Sequence, residues 1–185
     1  MIRFDNLPPE VMQAMCTPMH QILAPTALPP GSPSPSSGSL YLGSLAAVTE
    51  GPASLREAHI SHLVQVLDAP WLPLSEKDGF NCYKIPVMDD SSVDLKPHLE
   101  AVCAHIDKVL RSGKSVLVHC QQGVSRSAAI VIAYLIRNHG MSYDSAHALV
   151  KRKRACVKPN SGFVVALQEW EASFRRPNIS RRFTS

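Results

Sequence analysis

Ser115-Val-Leu-Val-His-Cys-Gln-Gln-Gly-Val-Ser-Arg-Ser127 is the stretch that decides how the rest of the chain reads. Val116, Leu117 and Val118 are an apolar, β-branched-rich run with the length of a buried strand. Residues 120–126 then form a short loop around Gly123, and residues 128–136 are apolar again, long enough for a buried helix. A strand feeding a tight loop and a helix N-terminus makes an anion site. The unpaired N–H groups of the first helical turn and the positive end of the helix dipole both point into the loop.

The loop carries a cysteine at its start and an arginine six residues later. A thiolate is the nucleophile of cysteine chemistry, and N–H donors at a helix N-terminus lower the pKa of a thiol. Arg126 can grip two oxygens of a phosphate at once, which a lysine cannot. Gly123 admits a positive φ and a close approach of the backbone to an anion. The amides of Gln121, Gln122, Gly123, Val124 and Ser125 are the candidate phosphate cradle. The Ser127 hydroxyl is placed to stabilise the thiolate when phosphate leaves it. The spacing His119-Cys120-x5-Arg126-Ser127 resembles the signature of the cysteine-dependent protein phosphatases. The plain alternative is a core cysteine near a surface arginine. A Walker-type loop is excluded, because no Lys-Ser or Lys-Thr follows the glycine.

The whole chain narrows the choice. Its 185 residues fit one domain plus tails, and 45 % hydrophobic content is ordinary for a globular core. No apolar run reaches the 18 or so residues of a membrane span. The first ten residues lack the basic start and continuous apolar core of a signal peptide, so a cytoplasmic or nuclear location is expected. The five cysteines are odd in number and include no C-x-x-C pair. That argues against a disulfide framework or a zinc site, and no metal or cofactor is expected. A reducing compartment also suits a catalytic thiolate. Net charge is +4, with nine of the 19 Lys and Arg between Lys151 and Arg182. Lys151-Arg-Lys-Arg154 reads either as a nuclear or acidic-partner patch or as the solvated face of a helix. No aromatic residues interleave with these charges, so nucleic acid is not expected as a partner.

Residues 1–38 hold eight of the 15 prolines and read as a flexible lead-in, with a weak helix expected over residues 10–23. The domain is expected over residues 39–176, followed by a basic tail, 177–185. Strands are expected at 40–42, 62–67, 80–87 and 116–118. Helices are expected over 52–58 and from Pro97 to a stop at Gly113. Further helices run from the loop to Gly140, from a Ser142 cap, and from an Asn160 cap with Phe163, Leu167, Trp170 and Phe174 as a core stripe. Strands alternating with helices imply an α/β three-layer sandwich with a mostly parallel sheet. A ligand would lie beyond the carboxyl ends of its strands, where His119 and Cys120 fall.

On these residues the chain resembles the small dual-specificity phosphatases. The resemblance covers about residues 39–176. It rests on Leu40-Tyr-Leu-Gly-Ser44, Ile85-Pro-Val-Met-Asp89, the loop with Ser125-Arg-Ser-Ala-Ala129, and Lys158-Pro-Asn-Ser-Gly-Phe163. It implies a two-step reaction: Cys120 attacks phosphorus, Arg126 and the loop amides hold the oxygens, and a carboxylic acid protonates the leaving group. That acid is Asp89 or the adjacent Asp90; Asp94 reads as a carboxylate at a helix start. His119 is expected to orient the loop and help depress the thiol pKa, and Asn160 either braces the loop or simply caps a helix. The implied partners are phosphorylated proteins, bound in a shallow site that admits phosphoserine and phosphothreonine as well as phosphotyrosine. Trp71-Leu-Pro73 is not the Trp-Pro-Asp loop of the larger tyrosine phosphatases, because it precedes the Ile-Pro strand. The uncharged Gln121, Gln122, Val124 and Ser125 favour a phosphoprotein over a polyphosphorylated lipid. The chain also resembles the styx-type pseudophosphatases from Ile130 through Trp170; these keep the fold but lack the nucleophile. Because Cys120 is present, the enzyme is the main expectation and a phosphoprotein-binding scaffold the alternative.

Overall fold

Leu117 and its two valine neighbours sort the molecule into layers. In the computed structural model, which describes residues 6–50, 52–69 and 78–175, they lie on strand β5 (Ser115–His119), buried along its full length. Val116 and Val118 face one apolar core and Leu117 faces a second on the opposite side. A strand buried on both faces belongs in the middle of a helix-covered parallel sheet. The sheet order is β1-β2-β5-β3-β4, with β1 Met19–Leu23, β2 Leu40–Gly43, β3 Ile60–Gln65 and β4 Asn81–Lys84. All neighbours are parallel except β1, which runs antiparallel to β2 at the edge.

The larger core lies under α4 (Lys96–Arg111), α5 (Arg126–His139), α6 (Tyr143–Lys153) and α7 (Ser161–Arg175). Helix α5 occupies its centre, with every residue from Ser127 to Ile136 buried. Full burial of each large aliphatic side chain in this run stabilises the fold by roughly 1.5–3 kcal/mol. Gly140 ends α5 in the left-handed conformation, and Ser142 caps α6 by accepting from the Ser145 amide. The smaller core is covered by α2 (Ala46–Thr49) and α3 (Pro52–Glu57), the latter bringing Leu55.

Helix α1 (Pro9–Cys16) and β1 correct the reading of the N-terminal segment. The helix expected over residues 10–23 stops at Cys16, where Thr17 turns extended before Pro18. The chain then joins the sheet, with Ile22 buried in the main core. Residues 19–23 are therefore ordered by ladder bonds to β2 that a composition argument cannot see. The Gln21 side chain also donates to Ser39 Oγ at 3.0 Å. The strand expected over residues 80–87 leaves the sheet after Lys84, at the approach to Pro86. Of the α7 stripe, Phe163 and Leu167 are core, while Phe174 is 49 % exposed and meets Trp170 edge-on. Trp71-Leu-Pro73 and the 177–185 tail lie outside the described residues.

Candidate active site

Strand β5 delivers His119 and Cys120 to the carboxyl edge of the sheet, and α5 begins six residues after the cysteine. Between them the backbone turns around Gly123 at φ +66°, in the left-handed region. A Cβ there would stand 2.5 Å from the Gly43 carbonyl oxygen, so both the turn and the packing call for glycine.

The loop carbonyls are held from outside. Gln121 O accepts from the Leu45 amide at 3.1 Å, and Val124 O from the Lys158 amide at 2.8 Å. Gln122 O and Gly123 O accept from Arg154 at 3.0 and 2.9 Å. In a planar trans peptide the following N–H points the opposite way, so amides 122–125 face the loop interior. Gly123 N–H accordingly donates to Cys120 Sγ at 3.3 Å, and Ser127 Oγ donates to the same sulfur at 3.1 Å. Cys120 is buried, and these two donors converge on its sulfur.

Ser125 occupies the N-cap position of α5, yet its hydroxyl makes no capping bond. It donates to Asp89 Oδ1 at 2.7 Å and accepts from the Asn160 amide at 3.0 Å. The amides of the first turn of α5 thus remain open toward the loop. Arg126 opens that turn. Its Nη1 donates to Val87 O at 3.3 Å, and its buried Nε has no partner among the described residues, so the guanidinium retains donor capacity.

The two candidate acids separate in the structure. Asp89 Oδ1 also accepts from Asn160 Nδ2 at 2.9 Å, which ties it to both the phosphate loop and the start of α7. Asp90 turns away and closes a local turn with the amide and hydroxyl of Ser92, both at 2.7 Å. These bonds hold its carboxyl below the usual carboxylate range. Asp94 accepts from the Lys96 amide at the start of α4, as a helix-start carboxylate should. Asn160 does both things the sequence left open: it holds Asp89 and, through Oδ1, caps α7 at the Phe163 amide. Gly162 lets α7 approach the acid loop, since a Cβ there would lie 2.0 Å from Ser91 O.

His119 lies at the strand end beneath the loop. It is fully buried, and among the described residues neither ring nitrogen has a well-aligned hydrogen-bond partner; burial pushes it down to about 4, opposed by an interaction with the Cys120 backbone. Burial thus favours the neutral form of the ring. Its place is at the end of β5, where its carbonyl accepts from Val66 N at 2.8 Å and helps fix the strand beneath the loop.

Arg154 was missed. In the run of residues 151–154 only the first three are exposed; Arg154 is fully buried behind the loop. A basic run gives no sign of which member turns inward. The position of Arg154 as the first residue after α6 was the available signal, because a helix end can redirect a side chain.

Comparison with known proteins agrees with this geometry. A family model described as "Dual specificity phosphatase, catalytic domain" matches residues 40–173. The chain belongs to the dual-specificity phosphatase family. It is 38 % identical over 136 residues to dual specificity protein phosphatase 1B of Arabidopsis thaliana, covering 74 % of this chain and 80 % of that protein. The crystal structure of human DUSP28 matches with a TM-score of 0.70 at 35 % identity, covering 82 % of this chain and 99 % of that one. That of the human tyrosine phosphatase-like serine/threonine/tyrosine-interacting protein matches with a TM-score of 0.71 at 32 % identity, covering 84 % and 97 %. This dual-specificity phosphatase is thus a protein phosphatase with the mostly parallel, helix-flanked sheet of its family.

Proposed function

We propose that this phosphatase hydrolyses phosphotyrosine and phosphoserine or phosphothreonine in proteins through a phosphocysteine on Cys120. The observation that carries the reading is the pair of donors on Cys120 Sγ, from Gly123 and Ser127, within a loop whose amides face inward. In the first step the sulfur attacks phosphorus and the P–O bond to the substrate side chain breaks. Asp89 gives its proton to the departing oxygen. The charge that builds on the phosphoryl oxygens meets the loop amides, the N-terminus of α5 and the Arg126 fork. In the second step water attacks phosphorus and loses a proton to the Asp89 carboxylate. The P–S bond breaks, and the Ser127 hydroxyl receives the returning thiolate. Inorganic phosphate and a protonated Asp89 remain, ready for another turn.

Asp89 is favoured over Asp90 by its bond to the phosphate loop and by the local Ser92 turn that occupies Asp90. The decisive experiment is a panel of phosphotyrosine, phosphothreonine and phosphoserine peptides assayed with the wild-type protein and with Cys120→Ser. Wild type is expected to release phosphate from all three classes and Cys120→Ser from none, while still binding them. Equal turnover by Cys120→Ser would remove the nucleophile from the scheme. Binding without turnover by wild type would favour the scaffold.

A further inference from the structure

Arg154 is one of the largest fully buried side chains among the described residues. A buried guanidinium loses its hydration and is tolerated only if its donors are satisfied. Here the satisfaction is unusual in kind. Nε donates to Gly123 O at 2.9 Å and Nη2 to Gln122 O at 3.0 Å. Nη1 donates to Thr17 O at 2.8 Å and pairs with His20 Nδ1 at 2.9 Å. These acceptors are three carbonyls and a ring nitrogen; none is a carboxylate. Among the described residues no carboxylate pairs with this cation, which lies immediately behind the phosphate loop.

We infer that Arg154 is a positioning residue of the reaction: by gripping the carbonyls of Gln122 and Gly123 it aims the amides of Gly123 and Val124 at the phosphoryl group, and its uncancelled charge strengthens the anion site from outside the loop. The inference rests on the phosphatase reading of that loop. Two features support it. The peptide whose carbonyl Arg154 takes at Gln122 is the one whose N–H reaches Cys120 Sγ. The same guanidinium also fastens Thr17 and His20, so the segment between α1 and the end of β1 is latched to the back of the site. Lysine cannot reproduce the fork, because a single ammonium cannot hold two carbonyls in one plane.

The test compares wild type with Arg154→Lys, Arg154→Met and His20→Ala. It measures kcat on an aryl phosphate, the inhibition constant of inorganic phosphate, and Tm. The inhibition constant is read on active molecules only, so a variant that merely loses folded protein leaves it unchanged. Both Arg154 variants are expected to weaken phosphate binding and lower kcat by about 10-fold or more, with lysine recovering part of the loss. His20→Ala, which removes one acceptor, is expected to weaken phosphate binding by about threefold. A folded Arg154 variant with both constants within about twofold of wild type would overturn the inference. If neither Arg154 variant folds, an unchanged inhibition constant in His20→Ala overturns it instead. A wild-type protein that binds phosphate but does not hydrolyse the ester would count against the phosphatase reading and not against this role, which the phosphate affinity of wild type and variants, measured by calorimetry, still tests.

Discussion

The Ser125 hydroxyl lies 2.7 Å from Asp89 Oδ1 and donates to it, which joins the phosphate loop to the acid loop across 36 residues of sequence. The same carboxylate oxygen accepts from Asn160 at the start of α7. Two separate stretches of chain, the phosphate loop and the start of α7, thus hold one carboxyl group. Among the described residues, Asp90, one residue on, is bound within its own turn.

Asp89→Asn should lower kcat by on the order of 10² or more for substrates with poor leaving groups, and much less for activated aryl esters, because only the former need a proton in the transition state. Asp90→Asn should leave both nearly unchanged. Steady-state rates across a series of leaving groups check this. A leaving-group dependence that appears in Asp90→Asn instead would shift the acid by one position.

Gly162→Ala should displace the acid loop. The added Cβ would meet Ser91 O at 2.0 Å, two residues from Asp89, and a backbone atom cannot step aside as a side chain can. The expected result is a folded protein whose kcat falls by about 10-fold, with phosphate affinity largely retained because the cradle amides are untouched. A matching loss of phosphate affinity would mean that the phosphate loop had moved as well.

Stability should fall on the acid side because of His119. The unfolded ring titrates near 6.5, and burial holds the folded ring at about 4. Between those values the unfolded chain binds a proton that the folded protein does not, so stability is complete above this window and is lost as pH falls through it. The loss attributable to His119 is up to about 3 kcal/mol. His20, His62, His105, His139 and His147 are also lowered by burial and act in the same direction. His119→Gln isolates one contribution. Urea midpoints at about pH 7.5 and about pH 5 should differ less in the variant than in wild type. An equal difference would mean that the buried ring does not carry the effect.

What the sequence made legible was whatever local pattern dictates. Val116 to Val118 announced a buried strand, Gly123 a turn, the apolar run after Arg126 a central helix, and Ser142 and Asn160 their caps. The features that stayed hidden depend on contacts between distant parts of the chain. Strand β1 alternates weakly and buries only Ile22, so its existence follows from pairing with β2 and not from its own residues. Arg154 shares its neighbours' composition but not their surroundings. Asp89 and Asp90 are identical side chains, distinguished by Ser92 on one side and by Ser125 and Asn160 on the other. His119 is charged or neutral according to burial, which a motif does not encode.

The central claim is that Cys120 sulfur carries the phosphoryl group. The most direct measurement is rapid acid quenching of Ser127→Ala during turnover of an aryl phosphate, followed by mass spectrometry of the peptide containing Cys120. Loss of the hydroxyl 3.1 Å from Sγ should slow departure of the thiolate, so a phosphoryl adduct is expected on Cys120 and on no other residue. Steady hydrolysis with no adduct on that cysteine, or with the adduct on a different side chain, would contradict the account.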